Sequence, residues 1–143
     1  MKIDKTGREV FIVPAVTATA NPGAGAEVSF TVPAGEVWRI ISVSVLPVFA
    51  TQTPWPALVV DDGTNIYFKS LCGTAVLTAG VSPQCSWFEA ATLAGGATDT
   101  TRQGTLPGDF VVPGGHKIRT VTAGIGANCD YPAAYIAYEK LPV

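Results

Sequence analysis

Residues with reactive side chains are few in this chain, and they are widely spaced. His116 is the only histidine, and the three cysteines are Cys72, Cys85 and Cys129. A zinc site built from the usual ligands would have to collect these cysteines and scattered carboxylates, because no second histidine is present. The sequence also has no Gly-x-Ser-x-Gly turn with a serine nucleophile that His116 could activate as a general base. We therefore expect no metal site, and a histidine that faces solvent in a turn.

The carboxylates raise two further possibilities. Residues 61–65 (Asp-Asp-Gly-Thr-Asn) have closely spaced oxygen ligands but lack the glutamate that ends an EF-hand loop. Asp-Gly between β-type residues predicts a hairpin turn, and a weak surface calcium site is the alternative. Glu36, Glu89 and Glu139 are far apart in sequence, and spacing does not reveal whether two of them face each other as glycosidase carboxylates do. We expect no catalytic residue and no cofactor, and hence no enzyme; a small hydrolase on a jelly roll is the alternative.

The cysteines form an odd set without a Cys-x-x-Cys pair. This pattern favours reduced thiols in a protein made in the cytoplasm over a disulfide framework. A bridge between Cys72 and Cys85 across a loop is the alternative.

Aromatic side chains are a possible sugar-stacking surface. The candidates are Trp38, Trp55, Trp87, Tyr67, Tyr131, Tyr135 and Tyr138. Packing in the core or on a sheet face explains each of them more simply. Only Trp38, which alternates with Val37 along its strand, is predicted to point outward. Trp55 stands between two prolines and either packs over the edge of the fold or is an exposed contact.

One stretch recurs within the chain. Residues 30–39 (Phe-Thr-Val-Pro-Ala-Gly-Glu-Val-Trp-Arg) and 110–119 (Phe-Val-Val-Pro-Gly-Gly-His-Lys-Ile-Arg) are identical at five of ten positions. Each copy has Pro-x-Gly after an apolar run, which predicts a tight corner because proline fixes φ and glycine accepts positive φ. We expect the first corner to join an antiparallel pair of strands. Arg39 and Arg119 are expected at equivalent outward positions, each paired with a carboxylate of a neighbouring strand or chain.

Short β-type runs separated by turn residues fill the rest of the chain. Such runs occupy residues 9–20, 26–32, 36–49, 57–60, 65–70, 85–93, 117–122 and 131–141. Pro14 places the first run at a sheet edge or at a bulge. In the third run, Val37, Ile41, Val43 and Val45 are expected to share one face. The last run is assigned as a strand, with a helix as the alternative.

The intervening stretches are expected to be loops. Residues 71–84 are a loop with one possible strand, and residues 94–104 are a long surface loop. No run shows a clear 3.6-residue period. We predict an all-β fold, an antiparallel β-sandwich that is a jelly roll of about eight strands. It forms a single domain at residues 9–143, preceded by an N-terminal arm at residues 1–8.

The composition argues against several classes of partner. Charged residues make up 14% of the chain at a net charge of −2, and the nine Lys and Arg are scattered, so no basic patch exists for nucleic acid or an anionic membrane. The longest apolar stretches are under ten residues, too short to span a membrane, and residues 1–8 lack the apolar core of a signal peptide. A weakly charged surface favours a chain covered by copies of itself or by partners. The alternative is that small residues inflate an apolar fraction of 48%.

Three stretches carry a family resemblance. They are residues 30–40 (Phe-Thr-Val-Pro-Ala-Gly-Glu-Val-Trp-Arg-Ile), 61–67 (Asp-Asp-Gly-Thr-Asn-Ile-Tyr) and 106–119 (Leu-Pro-Gly-Asp-Phe-Val-Val-Pro-Gly-Gly-His-Lys-Ile-Arg). With the pattern of residues 26–140, they resemble small β-sandwich structural proteins of tailed bacteriophages. Capsid decoration (cement) proteins and some head-fibre or tail modules look like this.

The resemblance implies a role in the virion. It implies a jelly roll, commonly a homotrimer, that binds the major capsid protein on the outer surface of the shell and stabilises the capsid. The implied location is the capsid surface, after synthesis in the host cytoplasm, and the family has no catalytic residues to carry over. A head-fibre or tail module that binds a host receptor or glycan is the alternative.

Overall fold

The computed structural model describes residues 2–3, 9–10, 14–49, 56–75, 78–96 and 98–143. Throughout these residues the chain forms strands joined by turns, and no helix occurs in them. The strands are β1 Lys2–Ile3, β2 Glu9–Val10, β3 Ala15–Thr19, β4 Ser29–Thr31, β5 Val37–Phe49, β6 Ala57–Asp61, β7 Ile66–Leu71, β8 Gln84–Glu89, β9 Thr101–Leu106, β10 Val111–Pro113, β11 Lys117–Val121 and β12 Cys129–Leu141.

Two sheets contain all of these strands except β1 and β2, which pair with each other. The six-stranded sheet has the order β3-β12-β5-β8-β9, with β10 also on β5, and the four-stranded sheet has the order β4-β11-β6-β7. Apolar side chains of both sheets, such as Trp87 and Ile136 from one and Leu58 and Ile118 from the other, form one buried cluster. Among the described strands, only β8 and β9 pair in parallel. The predicted antiparallel β-sandwich is confirmed as an all-β fold of two packed sheets with mostly antiparallel pairing, and the jelly-roll topology stays a prediction.

Both Pro-x-Gly corners carry the chain from one sheet to the other. β4 and β11 belong to the four-stranded sheet, whereas β5 and β10 belong to the six-stranded sheet. Gly35 and Gly115 turn the chain with φ angles of 81° and 84°, a region that glycine enters without steric cost. The expected antiparallel pair across residues 33–35 is therefore wrong. β4 and β5 lie in opposite layers, and their apolar sides face the same core. The corner therefore connects the two layers and does not form a hairpin.

The two corners pair with each other. In the six-stranded sheet β10 runs antiparallel to the start of β5, with Val112 opposite Trp38. In the four-stranded sheet β11 runs antiparallel to β4, with Ile118 opposite Phe30. The amide of Gly115 donates to the carbonyl oxygen of Val32 at 2.8 Å. Each copy of the repeated stretch is thus the strand partner of the other copy in both layers.

β5 switches its buried side at a β-bulge. The pairing of β12 with β5 shifts register opposite Ile41, which has no partner residue in β12. An extra residue in one strand reverses the alternation beyond it. Val43 and Val45 are buried as predicted, but Val37 and Ile41 are only half-buried, and Trp38 takes the inward position at the start of the strand. The prediction that the four aliphatic residues share one face is therefore wrong for Val37 and Ile41.

The predicted surface loop at residues 94–104 is wrong from Thr101 onward, where β9 begins. The side chain of Arg102 in this strand is 1% exposed. A Cβ on Gly104 would lie 2.3 Å from Cδ1 of Trp87, so only glycine fits beneath the indole ring. Thr, Arg, Gln and Gly have no apolar alternation, and the strand forms because of its tertiary contacts.

The remaining sequence assignments are largely confirmed. The run at residues 9–20 contains two strands, and β3 lies at an edge of its sheet as Pro14 indicated. The Asp-Gly turn joins β6 to β7 as an antiparallel pair, and the C-terminal run is a strand. Apart from Lys2–Ile3, the predicted arm lies outside the described residues, as does Trp55.

Replacing Gly114 with alanine should destabilise the junction of the two corners. A Cβ there would lie 2.6 Å from the carbonyl oxygen of Pro33 and 3.0 Å from that of Glu36, and backbone atoms yield less readily than side chains. We expect the free energy of unfolding, measured by urea denaturation, to fall by about 1–3 kcal/mol.

Gly126→Ala is the matched control, because a Cβ at Gly126 meets nothing within 4 Å. Its unfolding free energy should stay within about 0.5 kcal/mol of the parent. Equal losses in the two variants would contradict close packing of the corners.

Candidate functional site

His116 lies after the second corner, where the turn was predicted, and is half-buried. Its ring centroid is 5.3 Å from that of Tyr67, so the imidazole packs beside an aromatic ring as well as meeting solvent. In the part of the chain that the structure describes, no three His, Cys, Asp or Glu side chains come together as a group that could hold a metal ion.

The Asp-Gly turn is held by its own side chains. The carboxylate of Asp62 accepts hydrogen bonds from the Tyr67 hydroxyl at 2.5 Å and from the amides of Asn65 at 2.7 Å and Thr64 at 2.8 Å. These bonds keep the pKa of Asp62 far below its usual value. Three donors already occupy the oxygens that the calcium alternative would need, so the geometry is that of a self-capped turn.

The two arginines of the repeat hold equivalent positions. Arg39 on β5 pairs through Nε with Glu139 of β12 at 2.8 Å, and Arg119 on β11 pairs through Nε with Asp61 of β6 at 2.5 Å. Each arginine thus joins its strand to a neighbour in the same sheet, which confirms the prediction. Arg39 also contacts the exposed carboxylate of Asp109 at 3.0 Å.

Two of the three glutamates noted in the sequence likewise bind neighbouring strands. Glu36 accepts hydrogen bonds from Lys140 Nζ at 2.7 Å and from the indole of Trp38 at 2.6 Å, and both bonds lower its pKa. Glu139 is held by Arg39, as described above, and Glu89 is exposed at the end of β8. Glu36 and Glu139 are thus each paired with a basic group of a neighbouring strand, Lys140 and Arg39 respectively.

The exposed aromatic residue of the large sheet is Tyr135, not Trp38. Trp38 is 5% exposed and stacks on Tyr138 with ring centroids 3.7 Å apart, so its predicted outward position is wrong. Tyr135 is 50% exposed on β12. The exposure of Tyr135 could have been predicted from its strict alternation with Ala134 and Ile136, which are buried. The small residues around Tyr135 obscured that alternation.

The side of the six-stranded sheet that faces away from the core carries apolar and neutral polar side chains across its middle. We call this surface the outer face. Its apolar members alternate with inward-facing residues along β3, β5, β8 and β12, and they are Val16, Ala18, Leu46, Val48, Phe88, Ala133, Tyr135 and Ala137. Val16 is 69% exposed, Val48 40% and Leu46 37%. Large aliphatic side chains left in water on a rigid sheet indicate an interaction surface.

The polar members of the outer face are neutral, and three of them bind one another. They are Ser42, Ser44, Gln84, Ser86, Gln103 and Thr105. The amide of Gln84 donates to Ser44 Oγ at 3.0 Å, and the hydroxyls of Ser44 and Ser86 lie 3.0 Å apart. Among the described residues of this face, charged side chains occur only at its ends, with the Arg39–Glu139 pair on one side and Asp130 on the other. Across the middle of the sheet, these described residues therefore present no charged side chain to a partner.

A shallow hollow of about 240 Å³ lies within the outer face. Tyr135, Gln84, Ser44 and Leu46 are among the residues that line it. It lies next to the second register shift in the pairing of β12 with β5, between Asp130 and Ala133. An aromatic ring beside an amide and a hydroxyl can receive a protruding, uncharged group.

Comparisons with known proteins add no relative. No family model matches the chain, and neither the curated proteins nor the solved structures contain a match. Among the described residues, none belongs to a helix with the length and apolar content needed to cross a membrane.

Asp61→Asn should weaken the fold and reduce its pH dependence. Burial alone would raise the pKa of Asp61, but hydrogen bonds from Arg119 and the Gly63 amide outweigh it and lower the pKa. The stabilisation is therefore complete above the unfolded pKa of about 3.9 and is lost as the pH falls through the lower folded pKa. At neutral pH we expect the variant to lose about 1–3 kcal/mol in urea denaturation, and the difference should shrink as the pH falls below the unfolded pKa of about 3.9.

Asp109→Asn is the control for the pH series, because the Asp109 carboxylate is 83% exposed. Its effect should stay below about 1 kcal/mol at every pH. A constant deficit of Asp61→Asn down to strongly acidic pH would contradict the assigned ion pair.

Proposed function

We propose that this chain is a structural protein of a tailed-bacteriophage virion, which decorates the capsid and stabilises it by binding the outer surface of the major capsid protein shell. The binding surface is the outer face of the six-stranded sheet. The observation that carries the proposal is that this face combines exposed Val16, Leu46, Val48 and Tyr135 with neutral polar groups. The resemblance in the repeated corners points to the same class of protein, and it implies that the sandwich is a jelly roll.

The chemistry of the outer face suits a protein partner. The centres of protein interfaces are depleted of charge and enriched in aromatic residues, because burying an unpaired charge is costly. Tyr135 combines a large apolar area with a hydroxyl that can hydrogen-bond, and it projects from a rigid strand that loses little entropy on binding. Gln84, Ser44 and Ser86 already hydrogen-bond to one another, which lowers the cost of covering them.

The size of the face supports binding by several copies. Five strands about 4.8 Å apart, each with five or six residues of about 3.4 Å, cover roughly 400–500 Å². A stable interface buries about 800 Å² on each partner, so one copy would bind weakly through this face alone. A homotrimer would engage three sites at once and gain affinity through effective concentration. The low charge of the chain, −2 overall, limits repulsion between crowded copies.

Tyr135→Glu should remove capsid binding without unfolding the protein. A carboxylate in the middle of the face would lose its water on contact and find no cationic partner there. We expect the affinity for purified capsids of the encoding phage that lack the protein, measured by co-sedimentation, to fall about 10-fold or more. The heat resistance that the parent protein gives those capsids should fall with it.

Thr31→Glu adds the same charge to an exposed position on the four-stranded sheet and is the control. It should bind like the parent protein. The proposal fails if capsids ignore the parent protein, or if the two variants lose binding equally while keeping the parent stability in urea.

A second candidate function is a head-fibre or tail module that binds a host receptor or glycan. The hollow beside Tyr135 favours it, because an aromatic ring flanked by Gln84 and Ser44 can stack on a neutral sugar and hydrogen-bond to its hydroxyls. A glycan array would reveal such ligands, and Tyr135→Ala should abolish the signal. If no glycan on the array binds the protein and capsid binding is saturable, capsid decoration is the function that remains.

A further inference from the structure

Two of the three cysteines meet across the core of the sandwich. Cys72 directly follows β7 of the four-stranded sheet, and Cys85 is the second residue of β8 in the six-stranded sheet. Both side chains are 0% exposed and belong to the same buried cluster. The neighbouring Cys72 thiol, together with burial, raises the pKa of Cys85.

Backbone contacts fix this approach independently of the thiols. The amide of Gly73 donates to the carbonyl oxygen of Gln103 in β9 at 3.2 Å. Arg102 is the ladder partner of Cys85, and its Nη1 would lie 2.9 Å from a Cβ placed on Gly73. The chain leaving β7 is therefore pressed against the β8–β9 pair, and Cys72 is held beside Cys85 by its neighbours.

We propose that Cys72 and Cys85 form a dithiol site that a small disulfide oxidant, such as oxidised glutathione, converts into a disulfide between the two sheets. One cysteine thiolate attacks the S–S bond of the oxidant, forms a mixed disulfide and releases one small thiol. The other cysteine thiolate then attacks the protein sulfur of the mixed disulfide and releases the second. Two S–H bonds are lost and one S–S bond forms, and the two electrons and two protons leave in the two small thiols.

The burial of both thiols sets the conditions for the reaction. An oxidant does not reach side chains that are 0% exposed in the folded protein. The raised pKa of Cys85 also lowers its thiolate fraction at neutral pH. Oxidation therefore proceeds slowly in the native protein, through local opening, and rapidly while the chain refolds.

The bridge would tie the layers of the sandwich together. It closes a loop of about 14 residues, and a disulfide of this size restricts the unfolded chain enough to raise the melting temperature by about 5–10 °C. The site lies in the core, away from the outer face, and the inference does not depend on the proposed function.

Peptide mapping tests the proposal directly. Trypsin cleaves after Lys69 and Arg102, so Cys72 and Cys85 fall on one peptide, residues 70–102, and Cys129 falls on another, residues 120–140. The protein is refolded with oxidised glutathione, alkylated in denaturant and digested. We expect peptide 70–102 to lose two hydrogens and carry no alkyl group, and peptide 120–140 to be alkylated. Reduction should restore two alkylation sites to the first peptide.

Cys129→Ala is the control that keeps the pair, and it should show the same mass change and the same rise in melting temperature. Cys85→Ala should show neither, and the wild-type peptide map decides the question if that variant does not fold. Alkylation of both cysteines of peptide 70–102 after refolding with the oxidant would overturn the proposal. A bridge to Cys129, or a bridge that leaves the melting temperature unchanged, would overturn it as well.

Discussion

The mutual pairing of the two Pro-x-Gly corners is the constraint on which the rest of the fold depends. Each corner moves the chain between layers, and the strands on its two sides are hydrogen-bonded to those of the other corner in both sheets. The two sheets are therefore joined at one end by a pair of interlocked connections, with the backbone of Gly114 against that of Pro33. Because β5 and β11 leave these corners in fixed directions, the strands that pair with them inherit their positions. The outer face follows from that placement, since it is the side of β5, β8 and β12 turned away from the shared core.

Much of this fold was predictable from local signals. The β-type run at residues 26–32, the Asp-Gly hairpin and the paired roles of Arg39 and Arg119 all follow from short-range patterns. The partners of the corners were not predictable, because a sharp bend within one sheet and a crossing between sheets use the same Pro and Gly residues. β9 was missed because its stability comes from a glycine beneath Trp87 and from a buried arginine, which are tertiary contacts without a sequence period. The jelly-roll topology remains a prediction.

The candidate site was predicted less well than the fold. A single bulge at Ile41 reverses the alternation of β5, and so Trp38 moves from the surface to a stack with Tyr138. A one-residue shift of this kind exchanges the two faces of a strand, and nothing in the local sequence marks it. The outer face depends on which neutral residues the register brings together on five strands. The low charge of the composition anticipated such a surface but did not locate it.

Cryo-microscopy of the intact particle, at a resolution that traces side chains, would show which sheet meets the shell. We expect density for this sandwich on the outside of the shell, with Leu46 and Tyr135 of the outer face buried against the major capsid protein. Density in which the four-stranded sheet contacts the shell while Tyr135 faces solvent would contradict it. A particle that lacks the protein altogether would contradict the proposed function as a whole.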